Sequence, residues 1–299
     1  MSRRACACAI ALALAGGCGG GGDGPERVAP ASFGDLLGRL PAAEDKAIAL
    51  DVSGARRELG LPETAAPPVP PAQGTDGARR LRALVSATVL NYPIKDNGPL
   101  DRAVDYGLVI GLVRVDGPPG VVLIATREPW DELRAALERE GWHERGALLE
   151  RSPDSRVRVL RWVAGRDGLM VAGGDPRTVR AVFAGRERTA PALHALLRAG
   201  HGPARAARLV GSRCVRGFAV GYSPAAGGGE FVVAVTDVPP LPFRLEAGDR
   251  RLPEGYATQT PRAAGGRVEV PFTFETATDP AIQPSSLALA SSPYFTYDC

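Results

Sequence analysis

The strongest constraint on the fold is a strand-to-helix junction that occurs twice. Leu123-Ile-Ala-Thr-Arg-Glu-Pro129 matches Met170-Val-Ala-Gly-Gly-Asp-Pro176 in residue type at a separation of 47 residues. With one residue deleted, Leu133-Arg-Ala-Ala-Leu137 then matches Val179-Arg-Ala-Val-Phe183. In each copy an apolar run of strand length gives way to a proline, whose fixed φ and missing N–H suit the first turn of a helix. Each run also has a partner across a glycine turn. Gly107–Val115 precedes Val121–Thr126 across Asp116-Gly-Pro-Pro-Gly120, and Arg156–Val163 precedes Leu169–Ala172 across Ala164-Gly-Arg-Asp-Gly168. The expectation is an α+β fold: an antiparallel sheet with helices on one face, built from repeated strand–strand–helix units, plus a β-rich C-terminal part. The alternative is two ordinary turns alike by chance.

Local signals extend this frame in both directions. Ser32 is placed to cap a short helix carrying Phe33, Leu36, Leu37 and Leu40, and Lys46–Val52 reads as a strand. Ser53 follows as the expected N-cap of a helix Ala55–Leu59, stopped by Gly60 with Pro62 beyond it. Thr64 to Gly77 reads as a loop, and Arg79 to Leu90 as a helix with Leu81, Leu84, Val85, Thr88 and Val89 on one side. Pro129 opens a helix to Glu140 whose apolar face is Trp130, Leu133 and Leu137. From Trp142 to Glu150 one further strand is expected. Asp175 caps a helix with Val179, Val182 and Phe183 inward, and Thr189 caps Pro191–Ala199 with Leu193, Leu196 and Leu197 inward. Past Gly200 the expected strands are Cys214–Tyr222, Glu230–Thr236 and Arg267–Thr276. Prolines at 239, 240, 242, 253, 261, 280, 284 and 293 argue for short or edge strands there.

Little in the sequence points to catalysis, and no catalytic residue, cofactor or metal site is expected. His143, His194 and His201 have no acidic or cysteine partner at metal-ligand spacing. Gly221-Tyr-Ser-Pro-Ala225 lacks the second glycine of a nucleophile elbow. Gly173-Gly174 before a helix would suit an anion, but Asp175 already brings negative charge to that helix start. Glu128, Asp131 and Glu132 can be read as acid–base groups, yet a helix's first turn favours carboxylates through its dipole, so a solvated surface is expected. Asp101 and Asp105, one turn apart on a short helix, are a weak signal. Tyr294, Phe295 and Tyr297 beside Cys299 read as a small core rather than a ligand platform.

The first residues carry a different kind of information. Met1 to Cys18 has Arg3 and Arg4, an apolar run from Cys6 to Ala15, then Gly16-Gly17-Cys18. That run is about half of the ~20 residues a membrane-spanning helix needs, and reads as a secretion signal. Gly16-Gly17-Cys18 resembles the lipobox of bacterial lipoproteins, although Ala15 stands where the usual pattern has leucine and Leu14 lies one step further out. The resemblance implies cleavage before Cys18 and lipidation of its sulfur; the alternative is an ordinary signal peptide cut nearby. The expected organisation is a signal peptide over 1–17, a lipidated flexible tether over 18–31, an α+β domain over 32–200 and a β-rich region over 201–299. The formal charge of +3 includes Arg3 and Arg4, so the processed chain is nearly neutral and no nucleic-acid partner is expected. Cys6 and Cys8 leave with the signal and Cys18 takes lipid, which leaves Cys214 and Cys299 as an even pair outside the cytoplasm. A disulfide between them is expected, with two separate buried thiols as the alternative.

Residues from about Leu40 to Ala184 also resemble an uncharacterised family of actinobacterial envelope proteins. The resemblance lies in Leu-Pro-Ala followed by Ala-Ile-Ala-Leu-Asp-Val, in Val-Val-Leu-Ile-Ala-Thr before a helix, and in Gly168-Leu-Met-Val-Ala-Gly-Gly-Asp-Pro176. It implies an extracytoplasmic α+β domain and brings no catalytic residues. The function expected from all of this is non-enzymatic: a lipoprotein attached to the cytoplasmic membrane, with a binding or envelope-assembly role toward an envelope protein. A carrier of a lipid or other apolar ligand is the second reading, and a hydrolase with a dispersed site the third.

Overall fold

Ser32 is the first described residue and the cap of the first helix. Its Oγ accepts the Asp35 N–H at 3.2 Å and caps α1 (Phe33–Leu37), which buries Phe33, Leu36 and Leu37. The computed structural model describes residues 32–41, 46–64, 75–88, 99–116, 120–151, 160–186, 191–200, 202–209, 217–224, 230–236, 244–247, 256–258, 262–264, 267–274 and 295–298.

Strand β1 (Lys46–Asp51) runs into α2 (Val52–Glu58) with no loop between them. Asp51 is both the last strand residue and the helix cap, its Oδ1 accepting the Gly54 N–H at 2.8 Å. The cap is therefore Asp51, not Ser53, and the helix begins three residues before the expected Ala55. Helix α3 (Asp76–Thr88) also begins early, because Thr75 Oγ1 accepts the Ala78 N–H. Next come α4 (Pro99–Asp105), β2 (Val109–Asp116), β3 (Val121–Thr126) and α5 (Trp130–Arg139). Where one strand was expected there are two, β4 (Trp142–Arg145) and β5 (Leu148–Arg151), because Gly146 takes φ 65° and reverses the chain. Strands β6 (Trp162–Arg166) and β7 (Leu169–Gly173) are joined by Asp167-Gly168 alone, a tighter hairpin than the five-residue turn expected.

Helices α6 (Pro176–Phe183) and α7 (Pro191–Ala199) follow. Then come β8 (Ala204–Leu209), β9 (Gly217–Tyr222), β10 (Glu230–Thr236), β11 (Arg244–Ala247), β12 (Tyr256–Thr258), β13 (Arg262–Ala264), β14 (Arg267–Phe274) and β15 (Phe295–Asp298).

The fold is α+β, and its sheet is antiparallel throughout. Thirteen strands join in the order β12-β14-β10-β9-β8-β1-β2-β3-β7-β6-β5-β4, with β13 also on β14; β11 and β15 pair separately. Strands β8, β9, β10, β12, β13 and β14 continue the sheet begun by β1, because β8 pairs with both β1 and β9.

Helices cover both faces, which corrects the expectation of one. Successive side chains of a strand point to opposite faces, and the central strands are apolar at both sets of positions. Ala47, Ala49, Val113, Leu123 and Val171 pack with α1, α6 and α7. Ile48, Leu50, Leu112, Ile124 and Met170 pack with α2, α3, α4 and Leu137 of α5. Two apolar faces each need a cover, so a single helical layer would leave one of them in water. The two strand–strand–helix units meet where β3 pairs with β7, Leu123 opposite Val171 and Ile124 opposite Met170. Leu123 and its sequence match Met170 point to opposite faces, and so do the helices that follow them.

Four helices are seated on strand glycines. A Cβ at Gly111 of β2 would lie 2.7 Å from Phe33 of α1, and one at Gly173 of β7 would lie 2.9 Å from Val179 of α6. At Gly165 of β6 it would fall within the van der Waals envelope of the Trp130 ring of α5, and at Gly217 of β9 within that of Leu196 of α7. Each glycine lets one apolar side chain rest on the backbone of the sheet itself.

Candidate functional site

The site is built where β3 turns into α5. Thr126 Oγ1 donates to the Leu108 carbonyl at 3.3 Å and accepts the Glu128 N–H at 3.0 Å, while the Arg127 N–H reaches the same carbonyl at 2.7 Å. The turn so formed sends the Glu128 side chain inward, where it is 2% exposed. Its Oε1 accepts a hydrogen bond from Arg102 Nη2 of α4 at 3.1 Å, and its Oε2 has no hydrogen-bond partner among the described residues. Burial pushes this carboxyl above its ordinary range; Arg102 opposes the shift, and Glu132 one turn on adds to it.

A second buried ion braces the helix that carries Arg102. Arg56 of α2 is 3% exposed. It donates Nε to the Pro62 carbonyl at 2.8 Å and Nη1 to the carbonyls of Val104 and Asp105 at 2.7 and 3.2 Å. It thereby closes the C-terminal end of α4, whose orphan carbonyls would otherwise be buried unpaired. Asp105 also receives Arg82 Nε of α3 at 3.0 Å. Burial pushes the Arg56 guanidinium below its ordinary value, and Asp105 opposes that. Arg56 of α2 and Arg82 of α3 thus hold the end of α4, the helix that brings Arg102 to the Glu128 carboxyl at the end of β3. Such a group can bind a proton or accept from a donor. Asp131 and Glu132 point into solvent, so they supply no second acid–base group inside the fold.

Glu128 is buried rather than on the solvated surface expected for it. The dipole argument applies to a helix's first turn, but α5 begins at Trp130 with Pro129 as its cap, so Glu128 precedes the helix. That position before the proline is the only sequence signal for it; Arg102 and Arg56 are far away in the chain and carry none. Cys18, Cys214 and Cys299 lie outside the described residues, as do His201 and Tyr294. His143 is exposed on β4. His194 is half-buried on α7, its Nε2 without a partner among the described residues, and burial together with Arg198 pushes it below its ordinary value. Asp175 caps α6 as expected, Oδ2 accepting from Thr178 N–H and Oγ1–H at 2.8 Å each. Ser223 donates to Glu58 Oε2 at 2.6 Å, fastening the end of β9 to α2. No group of three His, Cys, Asp or Glu side chains suited to a metal occurs among the described residues. No protein-family model, curated protein or solved structure matches the chain.

Proposed function

We propose that the protein is an extracytoplasmic lipoprotein, attached through Cys18 to the outer face of the cytoplasmic membrane, whose folded part is a non-enzymatic binding or assembly module for another envelope component. The anchor rests on Arg3, Arg4, the apolar run to Ala15 and Gly16-Gly17-Cys18. The module reading rests on the seating of four helices on strand glycines. A carrier holds its ligand between layers, whereas here side chains from both helical layers touch the sheet backbone at four separate strands. The Glu128 carboxyl, paired with Arg102 and with no nucleophile hydrogen-bonded to it among the described residues, favours binding over hydrolysis.

Two measurements test this. Detergent phase partitioning of the full chain in a lipoprotein-processing bacterium should place it in the detergent phase, and Cys18→Ser should move it to the aqueous phase. Unchanged partitioning of the variant rejects the anchor. Native mass spectrometry of the full Cys18→Ser chain should give one mass without adduct. A stoichiometric adduct of a single lipid class would replace the module reading with the carrier.

A further inference from the structure

The two helical layers differ in charge. Described residues of α2 to α5 and their flanks carry nine arginines against eleven acids, and ion pairs tie many of them together: Arg57–Glu63, Arg79–Asp76, Arg82–Asp105, Arg102–Glu128 and Arg134 with Glu138 and Glu144. The layer on the other face is the reverse. Its described residues carry Arg39, Arg177, Arg180, Arg186 and Arg198 against Asp35 and Asp175. Both acids serve as helix-start groups, Asp35 bonded to Ser32 and Asp175 to Thr178. Arg177, Arg180, Arg186 and Arg198 are exposed and form no ion pair among the described residues.

These arginines share one surface. Helix α7 lies on β8 and β9, α1 on β2 and β3, and α6 on β6 and β7, so α1 sits between the other two across the sheet. On α6, Val179 and Val182 face the core, which turns Arg177 and Arg180 outward. On α7, Leu193, Leu196 and Leu197 face the core and Arg198 turns outward, its guanidinium close beside Gly34 of α1. The chain from Cys18 joins this same layer at Ser32, in its middle. Ser32 lies fourteen positions after Cys18, a span that cannot exceed about 50 Å.

We propose that the α7–α1–α6 layer is a docking face for the anionic phospholipid headgroups of the membrane that holds Cys18. The choice of occupant rests on the anchor proposed above: the tether joins the helical layer whose described residues carry an excess of positive charge, and the described residues of the opposite layer carry an acidic excess that such a surface repels. Arginine suits phosphate headgroups because its fork of donors matches their oxygens. The protein then lies with this layer toward the bilayer and presents the α2–α5 layer, with the Glu128 turn, outward to its partner.

The test uses the full chain with Cys18→Ser, so that no acyl chain contributes, and vesicles of phosphatidylcholine with or without an equal part of phosphatidylglycerol. Sedimentation should show binding to the anionic vesicles only, and added salt should weaken it. Each arginine near such a surface contributes about fivefold to partitioning, so R177Q/R180Q/R198Q should lower it on the order of a hundredfold. R57Q/R79Q/R139Q changes the net charge equally on the other layer and should leave partitioning within about fivefold, the effect of one arginine. Equal loss in both triples, equal binding to neutral vesicles or no binding at all would overturn the proposal. Retention on an anionic wall polymer with no vesicle binding would overturn it too. Acyl labelling of the unmodified Cys18 chain reports the anchor separately, so either reading can fail alone.

Discussion

Replacing Gly165 by alanine tests how the helices are seated. Gly165 lies in β6 beneath Trp130, and the new Cβ would overlap three carbons of the indole ring. Carbon atoms rest about 3.5–4.0 Å apart, so the ring must retreat by roughly 1.5 Å. The backbone at Trp130 is not free to follow. Its N–H donates to Asp167 Oδ1 at 2.9 Å, in the turn between β6 and β7, so withdrawing the helix start would break that bond. Overpacking of this kind costs about 1–3 kcal/mol. For a chain of this size a loss of about 2 kcal/mol lowers Tm by roughly 4–8 °C. Trp130→Ala removes the obstruction. In that background the added methyl should cost nothing, or stabilise by about 0.4–1 kcal/mol through the unfolded chain. Urea unfolding of the wild type, both single variants and the double variant therefore closes a cycle with a coupling of about 2 kcal/mol. Equal destabilisation by Gly165→Ala in both backgrounds would refute the seating.

Other expectations follow from the buried ions and the cysteines. Because burial raises the Glu128 carboxyl above its ordinary 4.5, the folded chain binds that proton more tightly than the unfolded chain. Its contribution is greatest below 4.5 and declines as pH rises from there through the folded-state value. Glu128→Gln does not titrate, so its stability relative to wild type should rise across that window; a difference independent of pH would contradict the assignment. Arg56→Lys cannot bridge Pro62 and the end of α4 together, and should cost about 3 kcal/mol in urea unfolding, with unchanged stability as the refuting result. Intact mass without reductant should be lower by about two hydrogens than after reduction if Cys214 and Cys299 are bonded; equal masses remove that bond.

What was legible in the sequence is what local chemistry decides. Asp175-Pro176 declares its helix because cap and first turn are adjacent in the chain, and Ser32 does the same for α1. The start of α2 differs from the expected one because Asp51 serves two elements at once, while Ser53 looks like a cap standing alone. The second helical layer does have a signal in the sequence. Ala-Ile-Ala-Leu in β1 and Val-Val-Leu-Ile-Ala in β3 are apolar at both parities, which no sheet with one wet face requires. Burial of Glu128 had almost none, since its ion-pair partner Arg102 arrives from α4 and the Leu108 carbonyl that sets its turn from the residue before β2. A carboxylate before a proline looks alike whether distant helices close over it or not.

The place of β1 has a consequence for how the chain must come into being. Ala49 pairs on one side with Val113 and on the other with Arg205, 64 and 156 residues later. Synthesis from the N-terminus delivers β1, β2 and β3 long before β8. Throughout that interval β1 is an exposed sheet edge with apolar side chains on both faces, a template for pairing with another molecule. Contacts so distant along the sequence also form slowly. The protein is therefore most vulnerable when two thirds emerged, and chains ending before Ala204 should aggregate rather than fold as a smaller version of the same sheet.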